Sequence, residues 1–302
     1  MIEWGIEKKV SSFVTDAGAN MIASVRKLGL RSVPCYAHAL NLVVKKSIEN
    51  TPGLEDLRTR SRKVVTYFKT STRAKEVLQQ VQKSTGRETM KLIQEVDTRW
   101  NSTYDMFQRL YEERQTVGSA LAVLTTKVRP LASEDYETMA ACIAILNPFK
   151  KATNELSEEK RVSGSVAIPM TKMLLHSMID LTGKTSHATA KILGQNLIQQ
   201  MTSRFDGQED STACNLATLL DPRFKMIGFH NQGRAHATMR RLVSECASVM
   251  RTSLQPSTTN QPEPAHPAIH PADNETPAAS TGYIIKIIYT NCIYTKWDYK
   301  SS

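Results

Sequence analysis

The chain has 302 residues, with 39 Lys and Arg against 29 Asp and Glu and a formal net charge of +10. That length fits one large domain or two ordinary ones, and the basic balance raises the odds of a polyanionic partner. The five cysteines are scattered and form no CxxC pair, which excludes a disulfide scaffold and points to a reducing compartment. No apolar run is long enough to cross a membrane, and "MIEWGIEKKV" at the start has neither the apolar core nor the cleavage site of a signal peptide. A soluble, intracellular chain with no membrane partner is expected.

In chain order, "SSFVTDAGANMIASVRKLGL" predicts a strand ending at Phe13 and Val14, a turn at Asp16 and Gly18, and a helix with Met21, Ile22, Val25 and Leu28 on one face. "SVPCYAHALNLVVKKSIEN" repeats the pattern, with Leu40, Val43, Val44 and Ile48 facing inward. Two strand–helix units in succession suggest part of an α/β sheet domain. From about residue 54 the periodicity turns helical, with segments over 58–75, from Trp100, and over 113–127, 133–156, 167–182, 186–204 and 235–254. Pro148, Pro169 and Pro222 are each expected near a helix start. Beyond residue 254 a Pro-rich linker over 255–282 reads as disordered, and a tyrosine-rich tail over 283–302 reads as an unpartnered strand.

The candidate site residues each carry two readings. Asp16, where a strand gives way to a helix, suits either a helix N-cap or a metal ligand at a sheet's carboxyl edge. Cys35 and His38 have a Cys-x-x-His spacing, but no second pair stands at finger-like distance, so His38 reads better as a hydrogen-bonded residue than as a zinc ligand. "DTRWNSTYDMFQRL", residues 97–110, opens a helix whose rings at Trp100, Tyr104, Phe107 and Tyr111 have core spacing. Asp97 is its expected N-cap. The sharper alternative places Arg99 on a phosphate and Trp100 on a base, with the ring edge packed and one face open. Seven basic residues and no acid lie in 58–75; they form a solvated helix face or a phosphate-contacting one.

"VTDAGANM", "VPCYAHALNLVV", "VVTYFKTSTRAKEVL", "DTRWNSTYDMFQRL", "LNPFKKATNELSEEK" and "LATLLDPRFK" follow one another in an order that resembles the hAT (hobo/Activator) transposases and their domesticated relatives, the BED-type zinc-finger domain-containing proteins. The similarity covers roughly residues 10–230. It implies an α/β, predominantly helical fold, a partial RNase H-like core over 1–110 with a large all-helical insertion over 111–254. Active members of that family cut DNA with two Asp and one Glu holding Mg²⁺ or Mn²⁺. By the resemblance, Asp16 matches the second Asp, as a vestigial catalytic and metal position. Cys35 and His38 match a Cys-x-x-His pair near the cut, and Trp100, beside Arg99 and Asn101, matches a tryptophan that stacks on DNA. The first Asp, the Glu, the BED finger and the C-terminal dimerisation segment find no match, so a fragment is expected. The expected protein is a nuclear, non-enzymatic, transposase-derived DNA binder with no bound cofactor, able to dimerise with related full-length proteins. Two alternatives stand beside it: a helical protein-interaction module, or a fragment of an active transposase.

Overall fold

The computed structural model describes residues 10–157 and 164–253, apart from Ser11 and Ala17. The expected linker and tail, 255–282 and 283–302, lie outside the described residues. The chain starts with a β–α–β unit. Strands β1 (Ser12–Thr15) and β2 (Arg31–Pro34) pair in parallel, with Ser12 opposite Arg31 and Thr15 opposite Pro34, and helix α1 (Ala19–Lys27) is the crossover between them. Gly29 ends α1 with φ of +67°, and the N–H groups of Gly29 and Leu30 return to the carbonyls of Arg26 and Val25. Only glycine takes that left-handed backbone without strain. Of the apolar face expected on α1, Val25 is buried, whereas Met21 and Leu28 are half exposed.

Helices follow: α2 (Tyr36–Glu49), α3 (Leu54–Thr70), α4 (Thr72–Ser84), α5 (Trp100–Glu112) and α6 (Arg114–Val123). Then come α7 (Ser133–Leu156), α8 (Ala167–Lys184), α9 (Ala188–Arg204), α10 (Thr212–Leu220) and α11 (Gln232–Ser253). Local chemistry sets several of these ends. The Ser71 hydroxyl accepts the Ala74 N–H to cap α4, and the Asp135 carboxylate accepts the Ala132 N–H at the start of α7. Pro148 sits inside α7, not near a helix start. A proline there removes one rung of the helix ladder, but Leu146, Phe149 and Ala152 around it are buried and hold the helix together. Pro222 follows the end of α10 at Asp221, again not a helix start.

One apolar cluster runs from Tyr36 on α2 to Met201 on α9 and includes Val44, Phe107, Leu110, Phe149, Leu174 and Leu197. It therefore passes through residue 110, where the resemblance places a boundary, without a break, and α5 packs directly on α7. A smaller cluster of Ile168, Cys214, Leu219, Phe229 and Ala235 receives Val33 from β2. Among the described residues, Val33 thus packs the β–α–β unit against side chains of α8, α10 and α11.

Candidate nucleic-acid interface

Parallel strands bring their carboxyl ends to the same edge of a sheet, which is where such folds bind ligands. Asp16 follows Thr15 and Cys35 follows Pro34, and the Cys35 N–H donates to the Thr15 carbonyl at 2.6 Å. The pairing therefore sets Asp16 and Cys35 side by side. Asp16 is exposed and accepts the Gly18 N–H on Oδ1 at 3.1 Å. It closes an Asx turn, while Gly18 takes the N-cap position that the sequence suggested for Asp16.

From Cys35 the chain enters α2 directly. Tyr36, Leu40, Val43, Val44, Ser47 and Ile48 form its buried face. At spacings of three, Cys35, His38 and Asn41 share the opposite, half-buried flank. Tyr36 anchors the helix start: its hydroxyl meets Thr171 Oγ1 at 2.9 Å and its ring centroid lies 4.9 Å from that of Phe205. Burial pushes the Tyr36 phenol far above its ordinary pKa, with the Thr171 bond opposing.

Asn41 joins this flank to the 97–101 segment. Its Oδ1 accepts the Trp100 N–H at 3.1 Å, and its Nδ2 donates to the Thr98 carbonyl at 3.4 Å. It thus satisfies an orphan donor at the start of α5, the service expected of Asp97. Asp97 instead accepts from Arg58 at 2.9 Å and from Arg62 at 2.8 Å. Beneath it, the fully buried Glu95 carboxylate accepts from Arg58 Nε at 2.5 Å, from Arg62 Nε at 3.0 Å and from the Thr103 hydroxyl. Burial disfavours the charge of Arg58, but its hydrogen bonds to Glu95 and Glu55, with the charges of both carboxylates, outweigh it and hold its pKa above the ordinary value. The Ser102 hydroxyl donates to the Val96 carbonyl at 2.9 Å and accepts its N–H at 2.8 Å.

Trp100 is only 3% exposed and meets Tyr104 edge to face, with centroids 6.4 Å apart. The expectation of a ring with one open face is therefore corrected. An indole in the first turn of a helix whose next turns bury Thr103, Tyr104 and Phe107 has its largest apolar gain on the inside. Its Nε1–H is buried with no partner, as is the Oδ1 of half-buried Asn101. The Arg99 side chain is exposed and makes no hydrogen bond or ion pair among the described residues.

The basic stretch is also less free than its composition suggests. Arg58 and Arg62 are committed to Glu95 and Asp97, and Arg60 holds Asp56 at 2.8 Å and Asp135 at 2.5 and 2.8 Å. Lys63, Lys69, Arg73 and Lys75 remain exposed and unpaired among the described residues.

A divalent ion of the kind the resemblance implies needs several oxygen ligands. Asp16 has no companion carboxylate: among the described residues, no three His, Cys, Asp or Glu side chains gather as a metal site. Cys35 and His38 supply two of the four ligands a structural zinc needs. The residues present therefore do not fit either ion. Sequence reasoning singled out Asp16, Cys35, His38, the 97–101 segment and the basic stretch that holds Arg58 and Arg62, but not Asn41 or Glu95. Asn41 carried one usable signal, its place one helical turn after His38 in "AHALNLVV". Glu95 carried none.

Residues 33–145 match the family model described as the ZBED1 RNase-like helical domain. The chain is similar to zinc finger BED domain-containing protein 4 of Homo sapiens, 26% identical over 244 residues, which are 81% of this chain and 20% of that protein. It is also similar to zinc finger BED domain-containing protein 6 of Mus musculus, 27% identical over 243 residues, covering 78% of this chain and 24% of that protein. The human protein of the same name matches to the same extent, at 27% over 243 residues. The chain thus spans about a fifth to a quarter of the length of these curated relatives.

Proposed function

The chain belongs to the hAT-derived, BED-type family, and on that premise we propose that it is a nuclear, non-catalytic protein that binds DNA through the surface around Arg99. One observation carries the reading. An uncommitted guanidinium is held on a rigid segment, clipped by Asn41 on one side and by the Glu95 network on the other. A cation positioned in that way is suited to a phosphate. Cys35, His38 and Asn41 continue the polar flank toward Asp16, and Lys63, Lys69, Arg73 and Lys75 add free charge. Trp100 serves in this reading as the buried anchor that holds Arg99 in place. A two-metal cut requires acids that hold both ions, and Asp16 stands as a vestige of such a set.

The test is the salt dependence of binding to hairpin and terminal-inverted-repeat DNA. Several phosphate contacts give a steep log–log decline, and Arg99→Ala lowers the slope by about one. A slope near zero overturns the DNA assignment. Specific nicking in Mg²⁺ or Mn²⁺ that is lost in Asp16→Ala overturns the non-catalytic part.

A further inference from the structure

Helix α11 has 22 residues, a rod of about 33 Å. It is held mainly through its first half, where Ala235 and Thr238 are buried and Leu242 packs partly against the Phe229 cluster. Beside that contact, Met239, Val243, Cys246 and Met250 recur at intervals of four, three and four, which is one continuous stripe on a helix. Met239, Val243 and Met250 are 38%, 61% and 65% exposed. By helical angle, Arg240 and Arg251 border this stripe on one side. Both side chains are exposed and make no hydrogen bond or ion pair among the described residues. Arg241, on the far side of the helix, is tied to Glu245 at 2.8 Å and to Thr212 at 2.9 Å.

We propose that this stripe docks an acidic amphipathic helix of another protein, with apolar residues at matching spacing and Asp or Glu facing Arg240 and Arg251. Charge selects this occupant. The chain's own 283–302 segment carries three Lys against one Asp, and a second copy of the chain brings the same arginines and a net charge of +10. Either would set like charges against the border, whereas an acidic helix converts the two free cations into attraction and register.

The test uses the full chain and a labelled synthetic peptide of the length of α11, with Leu at the stripe spacing and Glu on its flanks. A Lys-flanked version and a scrambled Glu version serve as comparators, and binding is read by fluorescence anisotropy. The expected result is saturable binding of the patterned Glu peptide alone, weakened about tenfold by Val243→Lys or Met250→Lys. The double variant Arg240→Glu/Arg251→Glu should exchange that preference for the Lys-flanked peptide. All these positions are exposed, and a melting curve confirms folding of each variant. Equal binding of patterned and scrambled Glu peptides overturns the proposal. So does a concentration-dependent dimer abolished by Val243→Lys, which identifies a second copy as the occupant. Tighter peptide binding after Ile285→Asp/Ile288→Asp also overturns it, since the chain's own tail is then the occupant. None of these readouts involves DNA, so they stand or fall apart from the function proposed above.

Discussion

Replacing Glu95 with Gln keeps the size of a side chain that is fully buried and removes its charge. The amide keeps one acceptor oxygen, so either Arg58 Nε with the Thr103 hydroxyl or the Arg62 fork loses its acceptor and faces an N–H donor, and both arginines lose the carboxylate charge. Breaking a buried ion pair costs about 3–5 kcal/mol, because the partner is left charged in a poor solvent. Here Arg58 keeps Glu55 and Asp97, and Arg62 keeps Asp97, so the loss falls at the low end, about 3 kcal/mol. For a chain of this size that lowers Tm by roughly 6–12 °C. Urea unfolding of wild type, Glu95→Gln, Arg58→Met and the double variant gives the coupling directly, with about 1 kcal/mol or more expected between contacting residues. The salt slope of DNA binding in Glu95→Gln should fall as well, since Arg99 loses its rigid support. A Tm within about 2 °C of wild type, less than 1 kcal/mol on this scale, would refute the reasoning.

Trp100→Ala removes a buried ring and should lower stability by about 3–5 kcal/mol, with DNA affinity following the folded fraction; lost affinity in a variant that melts like wild type would instead make the ring itself a contact. The hydrogen bonds from Arg223 draw the Asp221 carboxyl down to about 2 from its usual 3.8, with burial opposing. A depressed folded pKa adds stability above the unfolded value that disappears as pH falls through the folded one. Asp221→Asn should therefore remove about 1–2 kcal/mol at neutral pH, discounted for the exposure of Arg223, and progressively less as pH falls to 2 and below, as read by acid titration of unfolding. Burial pushes the Cys142 thiol up to about 12, so iodoacetamide at mildly alkaline pH should label half-buried Cys35 and Cys246 well before Cys142, as mass spectrometry of timed aliquots would report.

What was legible in the sequence was local. The apolar spacing over 133–156 marks α7 to the residue, and strand, turn and helix around Asp16 are where the pattern puts them. The recurrence of Trp100, Tyr104 and Phe107 already carried the burial of the indole, and that periodicity describes the free chain better than the stacking role drawn from resemblance. The missed features are contacts between distant parts of the chain. Asn41 caps a helix 59 residues away, and Glu95 collects arginines 33 and 37 residues upstream. The spacing after His38 marked Asn41 as part of the flank it shares with Cys35 and His38 but not as a cap, and nothing in a local window distinguishes Glu95 from a solvated side chain. Pro148 failed as a marker for the opposite reason: its local preference was clear, and tertiary burial on both sides of it won.

The distribution of charge follows from the same contrast. A net charge of +10 invites the reading that every cluster of arginines faces a polyanion. Yet the densest cluster, on α3, is committed to carboxylates of this chain: Arg58, Arg60 and Arg62 hold Glu55, Asp56, Glu95, Asp97 and Asp135. These five carboxylates leave little positive potential on that flank to attract phosphate. What the arginines do is fix the backbone that presents Arg99, through Glu95 and Asp97 on one side while Asn41 holds the other. Among the uncommitted cations of the described residues are Arg99 with the lysines of α3 and, on a separate helix, Arg240 and Arg251 beside exposed apolar residues. Cations on a purely polar surface suit a phosphate backbone, whereas cations that border an apolar stripe suit an acidic helix. The two sets differ in surroundings more than in charge, and on that difference rest the proposed DNA contact of one and the proposed helix contact of the other.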